Sequence, residues 1–222
     1  MSPKPPSAEM EELCRVLLDR HGMSFAREAG IRLDSGTPAP LFQLLCLSLL
    51  ISARISSRIA VAAWVALRHA GWTTPQKMAG ASWENKVKVL NRSGYARYDE
   101  STARYLDETT TRLIEEFGGD LRRVRHAANG DPPELRRQIE SFKGIGEVGS
   151  AVFLREVQAV WSEFVPFVDE RTLATAKALG LPSTGAELRE LVSDDDEFVR
   201  LVAAVVRARI AHEDADDYRI QD

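Results

Sequence analysis

Residues 41–54, LFQLLCLSLLISAR, constrain this chain more than any other stretch. A helix over these residues is apolar on most of its circumference, so it must be buried on most sides, in a protein core or in a bilayer. A bilayer span needs about 20 apolar residues, and the run LLCLSLLISA stops well short of that at Arg54. The segment is therefore a central helix, and the rest of the chain has to supply what surrounds it.

The rest is suited to that task. Apolar residues recur at helical spacing almost throughout, and strand-like alternation is nearly absent. Residues 8–21 form an amphipathic helix stopped by Gly22, after an arm at 1–7 expected to fray. DSGTPAP (34–40) reads as a loop ending at a helix start. Further helices are predicted over 56–70, 82–93, 100–117, 120–128, 133–142, 149–161, 170–181, 184–192 and 195–213, with a turn at 94–99 and a linker at NGDPP (129–133). The fold class is all-α.

Composition excludes several functions. The chain has 222 residues and a formal net charge of −4, which argues against a non-specific nucleic-acid coat. The acidic residues gather at Asp194–Glu197 and in the tail from Glu213, which leaves the middle near neutral, so a local basic patch is still allowed. Two cysteines, Cys14 and Cys46, are too few for a four-cysteine iron–sulfur or zinc site and read as free and buried. No apolar leader is visible at the start, and a cytoplasmic protein without a membrane partner is the expectation. His126 and His212 have no partners at metal-ligand spacing, so no metal site is expected from side chains.

The chemistry-bearing feature is FKGIGEVGSA (142–151), which joins two predicted helices through a very short loop. Glycine is normally kept for positive φ or for close approach of another backbone. One reading of Gly144, Gly146 and Gly149 is a plain αα-corner with Ile145 plugged between the helices. The other is an anion site: successive backbone N–H groups at a helix start, where the macrodipole favours negative charge. Phe142, Ile145 and Ala151 fall where such a hairpin needs buried packing.

The stretch resembles the helix-hairpin-helix of the endonuclease III-like (HhH-GPD) DNA glycosylase superfamily, whose hairpin is typically L-P-G-I/V-G. Three further landmarks follow the family order across residues 38–182. LISAR (50–54) resembles the end of a buried helix, SGY (93–95) the glycine–aromatic turn, and VPFVDERT (165–172) the setting of an essential aspartate, here Asp169.

The resemblance implies two helical lobes with an active site in the cleft between them. Residues 37–128 would form a helical barrel lobe, and 129–222 a hairpin-bearing lobe joined by residues 1–36. It implies a monomer acting on duplex DNA that contains a damaged base. Lys143, Gly144, Ile145, Gly146, Gly149 and Ser150 would hold phosphate, and a monovalent cation on the hairpin carbonyls is a further implication. No other cofactor is expected. Lys143 stands in place of the usual proline, as a phosphate contact or as an ordinary solvated lysine. Arg54 stands where the family fills the gap left by a flipped base, or else is a capping arginine. Tyr95 and Tyr98 are either stacking platforms for the orphan base or local packing.

Asp169 is the expected catalytic residue. Breaking a bond between base and sugar develops positive charge on the sugar. A carboxylate about 4 Å away is worth roughly 4 kcal/mol at an effective dielectric near 20, about a thousandfold in rate. The same carboxylate can deprotonate the attacking water. An aspartate before E-R-T-L-A is also a good helix N-cap, and the two roles are compatible.

Departures from the family pattern narrow the activity. Val148 occupies the position of the lysine nucleophile of bifunctional members, so strand-cleaving lyase activity should be absent or weak. Leu49 stands where the adenine-removing branch has a glutamate, and the family's iron–sulfur cysteines are missing. Trp64, Trp72, Trp83 and Trp161 read as core, and Arg122, Arg123 and Arg125 as a phosphate-facing cluster or a solvated face. The sequence thus points to a monofunctional DNA glycosylase of base-excision repair, with a non-catalytic DNA-binding protein as the alternative and a bland helical scaffold with a chance turn behind both.

Overall fold

A computed structural model describes residues 8–218, so the expected N-terminal arm lies outside the described residues. Among these, every regular element is helical and none is a strand. In chain order they begin with α1 (Ala8–His21), α2 (Phe25–Glu28), α3 (Pro38–Ser52), α4 (Ser57–His69), α5 (Pro75–Ala79), α6 (Trp83–Leu90) and α7 (Asp99–Phe117). There follow α8 (Leu121–Ala128), α9 (Pro132–Glu140), α10 (Glu147–Val157), α11 (Glu170–Ala178), α12 (Gly185–Arg189) and α13 (Asp195–Ala211). The protein is all-α.

The chain divides into two compact units: Phe25–Phe164, and the part up to Ser24 taken with Val165 onward. In the larger unit α3 is central, as its composition requires. Leu41, Phe42, Leu44, Leu45, Cys46, Leu47, Ser48, Leu49, Leu50 and Ile51 are all buried, on every side of the helix. Helices α4, α7, α8 and α10 pack against it. In the smaller unit α1 and α11 lie along α13, with a core of Leu17, Leu179, Phe198, Leu201, Val202 and Val205.

The division falls elsewhere than the expected boundary after residue 128. Residues 129–164, which hold the hairpin, group with 25–128, while α1 groups with the C-terminal helices. Two contacts show why. Helix α10 lies close along α3, and its Glu156, which is 3% exposed, accepts from the backbone N–H groups of Phe25 (2.8 Å) and Ala26 (3.1 Å). That carboxylate takes two of the amides that the first turn of α2 leaves without acceptors. FARE is too short to announce itself by periodicity, and no helix was expected there.

Other boundaries moved for local reasons. The helix expected from residue 149 begins at Glu147 and ends at Val157, because Gly146 is its N-cap and Gly149 is an internal packing position. Helix α3 starts at Pro38 after Thr37, inside the expected loop. Helix α6 gives way at Asn91 to a single wide turn through Tyr95, where Gly94 takes φ +89°.

Candidate functional site

The hairpin is the turn between α9 and α10. Phe142 and Ile145 are buried, at 1% and 4% exposure, and form its inner plug. Gly144 has φ +83°, a left-handed conformation, and a Cβ there would lie 2.6 Å from the Tyr105 ring. Gly149 is needed for a different reason. A Cβ on it would meet the Ser48 carbonyl oxygen at 2.8 Å and Ser52 Oγ at 2.0 Å, so its hydrogen lets α10 press against the backbone of α3. Gly146 shares neither constraint: its φ is −102° and nothing lies within 4 Å of where its Cβ would be.

One face of α7 grips the loop from beneath. Tyr105 lies under Gly144, Thr109 Oγ1 donates to the Lys143 carbonyl (3.1 Å), and Arg112 donates to Ser141 Oγ (2.8 Å) while its guanidinium sits 4.7 Å from the centre of the Phe142 ring. The spacing of these residues places them on one helical stripe. Sequence reasoning missed them, although the i, i+4, i+7 pattern of Tyr105, Thr109 and Arg112 was there to be read.

A polar clamp holds the two hairpin helices together. Ser150, fully buried, donates from Oγ to Glu140 Oε1 (2.7 Å), and Arg136 donates to the same oxygen (2.8 Å) and lies 3.7 Å from Glu147. Burial alone would push the Glu140 carboxyl up, but the hydrogen bonds from Arg136 and Ser150 outweigh it and hold the group below its ordinary 4.5. The Ser150 hydroxyl therefore faces inward, and its backbone N–H donates to the Gly146 carbonyl (2.9 Å), so neither of its donors is open to an anion.

The outer side is exposed. Gly146, the N-cap of α10, carries no side chain to cap the first turn, whose N–H groups an α-helix leaves without intrahelical acceptors. Lys143 is exposed, its ammonium 6.0 Å from the centre of the Tyr105 ring. Val148 is 48% exposed, unusual for valine, and Glu147 is more exposed still. Of the hairpin carbonyls, on which the resemblance implies a monovalent cation, those of Phe142 and Lys143 each accept one hydrogen bond.

The structure brings Arg54 to the same end of this unit. Ser52, the last residue of α3, sits over Gly149, and the chain passes from there to Arg54, which is exposed. Tyr95 supports that end from inside. It is fully buried, its hydroxyl donates to the Leu50 carbonyl (2.7 Å), and burial pushes its phenol up to about 12. Of the two roles considered for Tyr95, packing is the one it fills, because no ring face is presented to solvent. Tyr98 is half-buried, edge-on to Tyr95 and covered on one side by Arg97.

Asp169 belongs to the other unit. It is the N-cap of α11: Oδ1 accepts from the Thr172 N–H (3.2 Å) and Oδ2 from the Thr172 hydroxyl (2.7 Å). Its side chain is half-buried, and Glu170 beside it is exposed.

Several side chains resolve toward ordinary roles. Arg122 pairs with Asp120 and Arg125 with Glu163, so the arginine cluster on α8 is largely neutralised within the unit. Trp64 and Trp161 are core, but Trp83 is 40% exposed at the first position of α6, its indole N–H donating to the Glu100 carbonyl (3.3 Å). Both thiols are free, buried and pushed up by desolvation, Cys14 to about 11. Among the described residues no cluster of His, Cys, Asp and Glu could hold a metal, and no helix is long and apolar enough to cross a membrane. No protein-family model matches the chain, and no curated protein matches its sequence.

Proposed function

We propose that this protein is a monofunctional DNA glycosylase of the helix-hairpin-helix superfamily, which hydrolyses the bond between a damaged base and deoxyribose in duplex DNA. The observation that carries the reading is the hairpin's open outer side: an uncapped start of an eleven-residue helix, with Gly146 leaving room for a phosphate oxygen. Backbone donors at such a turn bind the DNA backbone without reading sequence, which suits an enzyme that must meet lesions anywhere. Lys143 adds a positive charge at the rim, and Arg54 supplies a long exposed side chain for the space vacated by an extruded base.

In this reading Asp169 is the catalytic carboxylate. The bond between C1′ and the base nitrogen breaks, its electron pair leaves with the base, and positive charge on the sugar is stabilised by the carboxylate. A water oxygen then bonds to C1′, and its proton passes to Asp169. Val148 has no nucleophile, so water attacks the sugar and the strand is left intact. The enzyme would work as a monomer, in the cytoplasm or on the nucleoid.

Single-turnover base release from oligonucleotides carrying alkylated, deaminated or oxidised bases tests this directly. Release from at least one lesion, lost in Asp169→Asn, is the expected result. Duplex binding without release from any of them leaves only a DNA-binding protein. Borohydride should trap no covalent adduct with the wild-type chain.

A further inference from the structure

Trp83 stands apart from the core tryptophans: it is 40% exposed, yet its ring is not loose. The indole N–H donates to the Glu100 carbonyl (3.3 Å), which ties the first turn of α6 to the start of α7. The ring lines a cleft of about 540 Å³ whose walls also carry Arg97, Tyr98, Glu100 and Arg104. A cleft of that size has room for a small ligand or for part of a chain. Among the described residues no other ring and no cation is stacked on the indole, whereas Tyr98 already has the Arg97 guanidinium 5.4 Å from its centre.

The charged groups of the cleft differ in how far they are already engaged. Asp99 accepts from Asn91 (2.8 Å) and from the Glu100 N–H (2.8 Å), and Asp107 is paired with the buried Lys86 at 2.5 Å. Of the lining acids, Glu100 alone presents a carboxylate without such a partner among the described residues. Arg97 makes no ion pair among the described residues, and Arg104 has only a surface contact with Glu108 at 3.8 Å, a kind worth little. Arg104 also links the cleft to the hairpin. Its guanidinium lies 5.6 Å from the centre of the Tyr105 ring, the same ring that has Lys143 at 6.0 Å and Gly144 packed against it. Cations and rings thus form one connected series, from Lys143 through Tyr105 and Arg104 to Arg97, Tyr98 and Trp83.

We propose that this cleft binds unpaired nucleotides of a DNA strand continuing from the hairpin, a base stacking on Trp83 and phosphates meeting Arg97 and Arg104. Aromatic faces and guanidinium groups side by side hold single strands with little regard to sequence. The connection to Lys143 favours a strand over a free nucleotide. The strand's path rests on the reading of the hairpin as a phosphate site, but the chemistry of the cleft does not.

The test is fluorescence anisotropy of the full chain on a blunt duplex and on the same duplex with a short thymidine overhang at either end. The overhang should tighten wild-type binding about tenfold, equivalent to about 1.4 kcal/mol. Trp83→Ala should lose that gain while blunt-duplex affinity stays within about twofold, and Trp83→Phe, which keeps a ring, should retain most of it. Arg97→Gln should shrink the gain and lower the slope of log affinity against log salt by about 0.7, a slope that Trp83→Ala leaves unchanged. Glu100→Gln should enlarge the gain by removing a repelling charge. No gain in the wild type, or a gain that survives Trp83→Ala, overturns the inference. Thymidine monophosphate competing as well as a thymidine oligonucleotide also overturns it and makes the cleft a free-nucleotide site. If the blunt duplex does not bind at all, the hairpin reading fails, and the same variants on the single strand alone decide the cleft.

Discussion

The two sides of the hairpin are built from adjacent residues to opposite specifications. The inner side is over-determined: Gly144 is held by φ and by Tyr105, Gly149 by the backbone of α3, Ile145 by burial, and Ser150 by Glu140. The outer side is under-determined. Gly146 touches nothing that would exclude a Cβ, and Glu147 and Val148 stand in solvent. Within the fold Gly146 serves only as the cap of α10, a place that several residue types can fill. The contrast separates residues that make the hairpin from residues available for use by it.

The contrast can be broken by substitution, and Gly149→Val should do most damage. Its side chain must push α10 off the Ser48 carbonyl, an overpacking cost of about 3 kcal/mol read as a shifted urea midpoint. Gly144→Ala comes next, at about 2 kcal/mol, from left-handed strain combined with the Tyr105 clash.

Ser150→Ala should cost about 1.5 kcal/mol at neutral pH, through a lost hydrogen bond to a carboxylate. Because the folded-state value of Glu140 lies below 4.5, its contribution is complete above that value and lost as pH falls through the lower folded one. The gap between wild type and Ser150→Ala should therefore close in acid, which urea titrations at pH 7 and pH 3 would show. An equal gap at both would mean that the serine acts through packing alone.

Gly146→Ala should have the smallest effect on stability, within about 0.5 kcal/mol, since a poorer cap is offset by a less flexible unfolded chain. Its effect should appear instead in duplex binding, as a several-fold loss by fluorescence anisotropy. If Gly146→Ala binds duplex as tightly as wild type, the open outer side is not where phosphate sits.

Much of this was legible in advance, and the reasons are specific. The buried helix α3 declared itself because apolar residues on every face allow only one environment. The hairpin did so because glycines and a lone isoleucine in eight residues admit few geometries. Legibility failed where the controlling atom lies far along the chain. Nothing near Phe25 predicts α2, whose first-turn amides are held by a glutamate 131 residues away. Gly149 could not be told from Gly146 in the sequence, because the distinction is the approach of Ser48 and Ser52. Tyr95 could not be sorted from Tyr98, since only the partner carbonyl at Leu50 makes one of them core.

Glu156 carries a consequence for how the larger unit comes to exist. It lies on the hairpin's second helix and binds the backbone at the unit's very first residues, so both ends of a 25–164 chain segment close onto one carboxylate. Such a contact spans nearly the whole unit, and contacts of that range slow folding because a long loop must be closed before they form. An excised 132–157 fragment lacks that contact and the packing of α10 on α3, and should not hold the shape the intact chain gives it.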